Sequence, residues 1–121
     1  MHGIPADLDL SRLVGQEFNF IGLGRFQIQF HISILMHICV EGRWELKDSN
    51  GKTIDKDCEH VDRDVYRIHT IIDVPITTVE VVPPESFSLH FESGHVLTVW
   101  DATPQYESFS IHFQGETPLY V

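Results

Sequence analysis

The sequence is poor in cysteine and has no long apolar run, and each shortage argues against a class of protein. Its two cysteines, Cys39 and Cys58, show neither metal-ligand spacing nor a sign of export, so we expect reduced thiols rather than a disulfide. No apolar run reaches about 18 residues, which argues against a membrane-spanning helix. The first residues lack a basic region followed by an apolar stretch, so no signal peptide is expected. These features favour a cytoplasmic protein.

Motifs of catalysis and nucleotide binding are also missing. The sequence has no nucleophile elbow, no phosphate-binding glycine loop and no HExxH motif. The lone GxG at Gly22 and Gly24 is followed by a predicted strand rather than a helix. His90 and His112 lie on polar faces of predicted strands, but no basic groove accompanies them to hold a phosphate substrate. We therefore predict that the protein is not an enzyme.

Basic residues are few, and the charge balance is the first positive signal. Eighteen acidic residues against eight Lys and Arg give a formal net charge of −10. Such a field repels phosphate backbones, so nucleic-acid binding is not expected. It attracts a basic protein and raises the rate of association with it. Acidity also keeps a protein soluble, so the charge alone leaves both roles open.

The length and apolar content predict one domain over residues 1–121, large enough for a core without metal or disulfide. Residues 7–14 have helical spacing and end at Gly15, which predicts a short helix. A second short helix is predicted through residues 61–72, where Val61, Val65, Ile68 and Ile72 would share an apolar face. Elsewhere, apolar and polar residues alternate between turn signals, as is typical of strands.

The two halves of the chain repeat one apolar pattern. With a shift of 61 residues, positions in the stretch 26–40 fall on positions in 87–99, and a shift of 58 aligns positions upstream. The aligned pairs are Phe26 with Phe87, Ile28 with Leu89, Phe30 with Phe91, Met36 with Leu97, Ile38 with Val99, Leu13 with Ile71, Phe18 with Ile76 and Ile21 with Val79. This match predicts a turn near Ile32 and Ser33, which no usual turn residue marks.

The stretch 26–40 is therefore predicted to form a hairpin rather than one strand. Its buried face would hold six residues: Phe26, Ile28, Phe30, Met36, Ile38 and Val40. Two similar helix-plus-meander halves, about residues 7–55 and 61–115, would then form the molecule. We predict a mainly β fold, at the margin of α+β, in which a twisted antiparallel sheet closes as a barrel or a sandwich.

Eight histidines raise the question of a metal site. In the predicted hairpin, His31 lies at the turn, and His37 shares the outward face of one strand with Cys39 and Glu41. Residues two apart on a strand lie roughly 6.6–7 Å apart, which is wide for two ligands of one ion. The sequence also has no HxH, HxxxH or CxxC spacing. We predict solvent-facing histidines, no metal site and no cofactor.

Four segments resemble one family of proteins. They are residues 91–101 (FESGHVLTVWD), 105–111 (QYESFSI), 13–15 (LVG) and 40–46 (VEGRWEL). Together they resemble a family of small, uncharacterised bacterial β-rich proteins. That family is similar to the immunity proteins found beside polymorphic toxins, including contact-dependent growth inhibition systems. The most distinctive part of the resemblance is Tyr106-Glu107-Ser108.

The resemblance implies an immunity protein that binds and neutralises a cognate toxin protein. Many toxin domains are nucleases with basic grooves, and an acidic domain can block such a groove. We predict that the contacts come from the dense acidic stretch and from the last strand junction. The predicted toxin-binding residues are Asp55, Asp57, Glu59, Asp62, Asp64, Asp101 and Glu107. The same carboxylates could instead belong to a solvated loop, a helix start or a turn cap.

Two other functions remain open from the sequence. A small β-domain could bind a ligand or a metal through its histidine-bearing faces. An accessory domain could associate with copies of itself through exposed strand edges. The predicted oligomeric state is a monomer or a weak homodimer.

Overall fold

The computed structural model describes residues 3–58, 62–101 and 108–121. Within these residues the chain forms ten strands and two short 3-10 helices, and the strands build two five-stranded antiparallel sheets. The predicted mainly β fold is confirmed, and the strands of the described part form two separate sheets rather than one closed barrel. No helix in these ranges is long and apolar enough to cross a membrane.

The elements follow one another in the same order in both halves. The first 3-10 helix covers Ser11–Leu13 and the second covers Ile68–Ile71. After the first come β1 Phe20–Leu23, β2 Ile28–Ile32, β3 Met36–Val40, β4 Trp44–Lys47 and β5 Thr53–Lys56. After the second come β6 Ile76–Val82, β7 Ser86–Phe91, β8 Val96–Trp100, β9 Phe109–Phe113 and β10 Leu119–Tyr120.

Each half builds a three-stranded meander and contributes a pair of strands to the other half's sheet. β1, β2 and β3 are neighbours in the first sheet, and β6, β7 and β8 are neighbours in the second. The β4–β5 pair, which follows the first meander, joins β8, and the β9–β10 pair, which follows the second meander, joins β3. The strand orders are therefore β1-β2-β3-β9-β10 and β5-β4-β8-β7-β6.

The stretch 26–40 contains the predicted hairpin, whose turn forms without glycine. β2 ends at Ile32 and β3 begins at Met36, and the N–H of Leu35 donates to the carbonyl of Ile32 at 2.9 Å. Ser33 has a φ of 46°, in the left-handed region that favours glycine. Its N–H donates to the side-chain oxygen of Asn19 at 2.8 Å. A hydrogen bond from another segment thus stabilises a turn that no residue of the stretch marks.

Phe26 is not on the buried face of that hairpin. It lies before β2 and is 68% exposed. The cause is a local turn, in which the N–H of Gly24 donates to the carbonyl of Gln27 at 2.8 Å and leaves Phe26 at the tip. The other five predicted residues of this face are buried.

The predicted helices are also shorter than their apolar spacing indicates. The second is a single turn of four residues, and Val65 is 52% exposed rather than on a shared apolar face with Ile68. The helix cannot begin earlier because the N–H groups of Arg67 and Ile68 already donate to a carboxylate of β5, that of Asp55. Val61 lies outside the described residues.

The inner faces of both sheets contribute to one apolar core. Phe87 of β7 and Phe109 of β9 pack edge to face across the sheets, with ring centroids 5.1 Å apart. Phe18, which precedes β1, is fully buried and packs on Phe30 at 5.4 Å and on Phe91 at 6.2 Å. The two meanders are therefore held together through side chains that come from both halves of the chain.

We predict that Phe18→Ala lowers the free energy of unfolding by about 3–5 kcal/mol, because it removes a buried ring that contacts both sheets. Urea denaturation followed by tryptophan fluorescence measures this loss. Phe26→Ala is the matched control, with an expected change of about 0.5 kcal/mol or less because its ring is exposed. Equal losses in the two variants would contradict the assignment of Phe18 to the core.

Candidate functional site

Asp55 is the first of the predicted toxin-binding residues, and it is buried. Its Oδ1 forms an ion pair with the guanidinium of Arg63 and accepts the N–H of Lys56 at 2.9 Å. Its Oδ2 accepts the N–H groups of Arg67 and Ile68, both at 2.8 Å. Both oxygens are thus used within the fold. Burial removes Asp55 from the carboxylates that a partner could reach.

Arg63 completes this buried ion pair. Its side chain is only 7% exposed, and its Nη2 donates to the carbonyl of Lys56 at 2.7 Å. The guanidinium lies 4.5 Å from the centre of the Tyr66 ring, and its Nε has no partner among the described residues. Together with Asp55, Arg63 fixes the segment after β5 against the end strand of the second sheet. We call this pair the clamp (Asp55 and Arg63).

Three of the predicted carboxylates are exposed beside the clamp, those of Asp57, Asp62 and Asp64. Asp57 directly follows the end of β5 and accepts the N–H of Trp44 at 3.2 Å, whereas Asp62 and Asp64 flank Arg63. We call these three residues the acidic edge. Glu59, which the sequence analysis placed in the same group, lies outside the described residues.

A cleft of about 490 Å³ opens beside β5. Asp64 and the paired side chains Glu45 and Lys56 line it, together with Cys58. The hydroxyl of Thr53 donates to the carboxylate of Glu45 on one wall. The cleft therefore mixes both signs of charge, and of the three residues of the acidic edge only Asp64 lines it.

Asp101 does not belong to the acidic edge, because it directly follows β8, which is two strands from β5 in the sheet. It is half-buried, and its carboxylate accepts the N–H of Gly3 at 2.7 Å and the hydroxyl of Ser108 at 3.0 Å. Burial alone would raise the pKa of this carboxyl, but the hydrogen bonds donated to it lower the pKa below its usual value. Asp101 thus joins three segments of the fold. Glu107 lies outside the described residues.

Ser108 is the one described residue of the distinctive YES motif, and its contacts are structural. Its carbonyl accepts the N–H groups of Glu41 and Gly42, both at 2.9 Å, and its own N–H donates to the carbonyl of Val121 at 2.6 Å. The side chain is fully buried and reaches Asp101. Where the structure describes it, the motif therefore ties β9 to the end of β3 and to the C-terminal residue.

Three histidines form a stacked row on the outer face of the first sheet. The rings of His31 and His37 are 5.0 Å apart, and those of His37 and His112 are 4.3 Å apart with only 11° between their planes. Phe20 and Tyr120 pack edge-on at the two ends, at 5.3 and 5.6 Å. We call these five residues the histidine row.

This row was not predicted from the sequence, for two reasons. His31 was predicted at the turn, whereas it lies inside β2 directly opposite His37. His37 and His112 meet only through the pairing of β3 with β9, which no local pattern indicates. The outward alternation of His37 and His112 was visible, but the distant pairing was not.

The row does not have the geometry of a metal site. Its imidazoles face one another in parallel, so their nitrogens do not converge on one point. Nε2 of His31 is bonded to the Gln29 side chain at 3.0 Å, and Nε2 of His112 to the Ser110 hydroxyl at 2.8 Å. Among residues 3–58, 62–101 and 108–121, no group of three His, Cys, Asp or Glu side chains could hold an ion.

The surroundings of His37, the central ring of the row, favour its neutral form. Burial, and then the neighbouring His112 and His31, lower the pKa of His37 below its usual value of 6.5. A proton on the central ring would lose hydration and would lie beside two further imidazoles. The central ring of the row therefore resists protonation.

No family model, curated protein or solved structure matches the chain. The resemblance to immunity proteins thus stays a prediction. What can be argued about function rests on the fold and on the two surfaces described above.

We predict that Asp55→Asn lowers the free energy of unfolding by about 3–5 kcal/mol, because it leaves the buried Arg63 cation without its counter-charge. Urea denaturation at neutral pH measures the change. Asp62→Asn, at an exposed position of the same segment, should change stability by only about 0.5 kcal/mol or less.

A double variant tests whether the expected loss of stability comes from the broken ion pair or from a general loss of packing. Adding Arg63→Met to Asp55→Asn removes the stranded cation, so stability should recover by about 1 kcal/mol or more. If the double variant is no more stable than Asp55→Asn alone, the ion pair is not what makes Asp55 important.

Proposed function

We propose that the chain is a non-enzymatic immunity protein, which binds a toxin protein and blocks its basic, nuclease-type groove with the acidic edge. The observation that supports this proposal is the exposure of Asp57, Asp62 and Asp64 on one segment that the buried clamp holds against β5. The resemblance in sequence suggests the class of protein, and the net charge of −10 suggests that the partner is positively charged.

The clamp matters because it pre-organises the binding segment. Asp55 and Arg63 fix the residues on either side of them, so the exposed carboxylates of Asp62 and Asp64 project from a backbone that is already anchored. Ordering a loop on binding costs conformational entropy, and an anchored segment has less of it to lose. Pre-organisation therefore raises the affinity that three carboxylates can provide.

The charge around the clamp also favours a basic partner. The charge of Arg63 is compensated internally by Asp55, so it does not offset the acidic edge. Lys56 and Arg67 are the exposed cations within residues 53–67 of the described chain. The remaining local excess of carboxylates acts together with the field of the whole protein, which steers a cationic groove toward this side.

Ligand or metal binding through the histidines, and self-association through strand edges, remain the alternatives. The stacked geometry of the histidine row and its bonded Nε2 atoms do not favour a metal. No contact among the described residues favours self-association over binding of a toxin. The acidic edge is therefore the better supported site.

The proposal predicts that the rate constant for association with the toxin falls when charge is removed from the acidic edge but not when it is removed elsewhere. The probe is the catalytically inactivated toxin domain encoded by the neighbouring gene, with association followed by stopped-flow fluorescence at low salt. Replacing Asp57, Asp62 and Asp64 together by Asn should lower the association rate constant by about tenfold. Replacing the exposed Glu80, Glu85 and Glu92 together by Gln removes the same charge elsewhere and should change it by about twofold or less.

Two outcomes separate the function from the site. If the wild-type protein neither binds the toxin nor protects cells that produce its active form, the immunity function is wrong. If it protects them but both triple variants associate equally fast, the function stands and the acidic edge is not the contact surface.

A further inference from the structure

The histidine row crosses the place where the two halves of the chain join in the first sheet. β3 belongs to the first meander, and β9 belongs to the pair of strands that the second half contributes. His37 and His112 are directly opposite each other in this β3–β9 ladder. Their stacked rings thus lie on the joint itself, and His31 extends the stack onto β2.

We propose that the histidine row is an acid-sensitive clasp, which holds the β9–β10 pair on β3 near neutral pH and loosens it when the imidazoles take up protons. The clasp concerns the stability of one joint, so it does not depend on the identity of a binding partner. It gives the fold a pH-dependent opening that is confined to one of its two sheets.

The ring geometry makes the joint sensitive to protons. Neutral imidazoles can stack without charge repulsion, as His37 and His112 do at 4.3 Å between ring centroids. Protonated imidazoles at that distance are two like charges in a half-buried place, and like charges at short range disfavour each other. Histidine changes its charge between about pH 5 and 8, so mild acid is sufficient.

Among the described strand residues on the outer face of the first sheet, no carboxylate lies beside the row to compensate for added protons. On the outer face of the described strands, its neighbours are Gly22 of β1, Gln29 of β2, Cys39 of β3 and Ser110 of β9, and Tyr120 of β10 closes the row. Cys39 and Tyr120 are titratable, but both are uncharged in acid. Along β3, the next carboxylate on this face is that of Glu41, four residues from His37 or roughly 13 Å at 3.3 Å per residue.

The ion pair that fastens the turn of the β9–β10 pair does not change in the same pH range. Glu116, in the turn between these strands, accepts two hydrogen bonds from Arg12, at 2.7 and 2.9 Å. The Arg12 hydrogen bonds lower the pKa of Glu116 below its usual 4.5, so the ion pair remains charged at about pH 5. The response between pH 7 and pH 5 therefore belongs to the histidines.

The equivalent joint in the second sheet carries no such stack. There β4 pairs with β8, and the outward pairs are Glu45 with Thr98 and Lys47 with Val96. Neither pair brings two like-charged or titratable side chains together. Mild acid should therefore loosen the joint between β3 and β9 and leave the joint between β4 and β8 closed.

The lowered pKa of His37 gives the direction of the effect on stability. Because the folded protein binds this proton more weakly than the unfolded chain does, the neutral ring contributes stability above about pH 6.5. That contribution is lost as the pH falls from about 6.5 through the lower folded value. Acid thus weakens the joint and does not strengthen it.

Hydrogen–deuterium exchange of the full chain at about pH 7.5 and about pH 5 tests the clasp, with rates corrected for intrinsic exchange. Protection of amides in β3, β9 and β10 should fall by about tenfold for each pKa unit by which folding lowers the imidazole pKa. Amides of β4, β7 and β8 should change by about threefold or less. An equal loss in both sheets would overturn the proposal.

Variants identify the histidines as the cause. His37→Gln with His112→Gln removes both protonation sites of the closest stack, so the pH-dependent loss of protection in β9 and β10 should disappear. His90→Gln is the control, because His90 lies on the outer face of the second sheet opposite Val96 and should leave the response intact. An unchanged pH response in the double variant would overturn the clasp.

A measurement on the unaltered protein covers the case in which the double variant does not fold. The ring resonances of His37 can be titrated by NMR between about pH 8 and pH 4.5. A midpoint below about 6.5, together with broadening of β9 and β10 amides over the same range, supports the clasp. A midpoint at or above about 6.5 overturns it, because protonation would then not oppose the folded joint.

Discussion

The fold depends on the packing of two meanders against each other through one apolar core, completed by the strand pairs that each half contributes to the other. Phe18 contacts rings of both sheets, and Phe87 meets Phe109 across them. Neither sheet reaches five strands from its own half of the chain. Each sheet therefore depends on one pairing between strands of different halves, β3 with β9 or β4 with β8. Under the proposal above, a proton on the histidine row weakens the first of these pairings.

That architecture divides carboxylates that look alike in the sequence. Asp55 and Asp101 bind backbone amides and side chains of distant segments, so they hold the fold together. Asp57, Asp62 and Asp64 face solvent, although Asp57 also accepts the N–H of Trp44. The structural carboxylates also position the exposed ones, since the buried pair of Asp55 and Arg63 anchors the segment that carries the acidic edge. Stability and the proposed binding surface therefore share one element.

Much of the fold could be predicted because apolar and polar residues alternate locally along the strands. The strands of the hairpin in 26–40 and the repeat of pattern between the halves followed from apolar spacing, and period 2 is a property of any half-buried strand. The length of the helix predicted through residues 61–72 was overestimated because a contact from outside the segment decided where it begins. Its apolar spacing was helical, but the side chain of Asp55 took the amides that an earlier helical turn would have used.

The β class, the hidden turn, the acidity and the outward position of His37 and His112 follow from composition and from residues close together in the chain. The pairing of β9 with β3, the stack of three imidazoles and the burial of Asp55 beside an exposed Asp64 depend instead on how the chain folds in three dimensions. The pairing of β3 with β9 requires residues 69 to 77 positions apart to meet. Such meetings are selected by the shared core rather than by any local pattern, since the same alternation would serve several strand orders equally well.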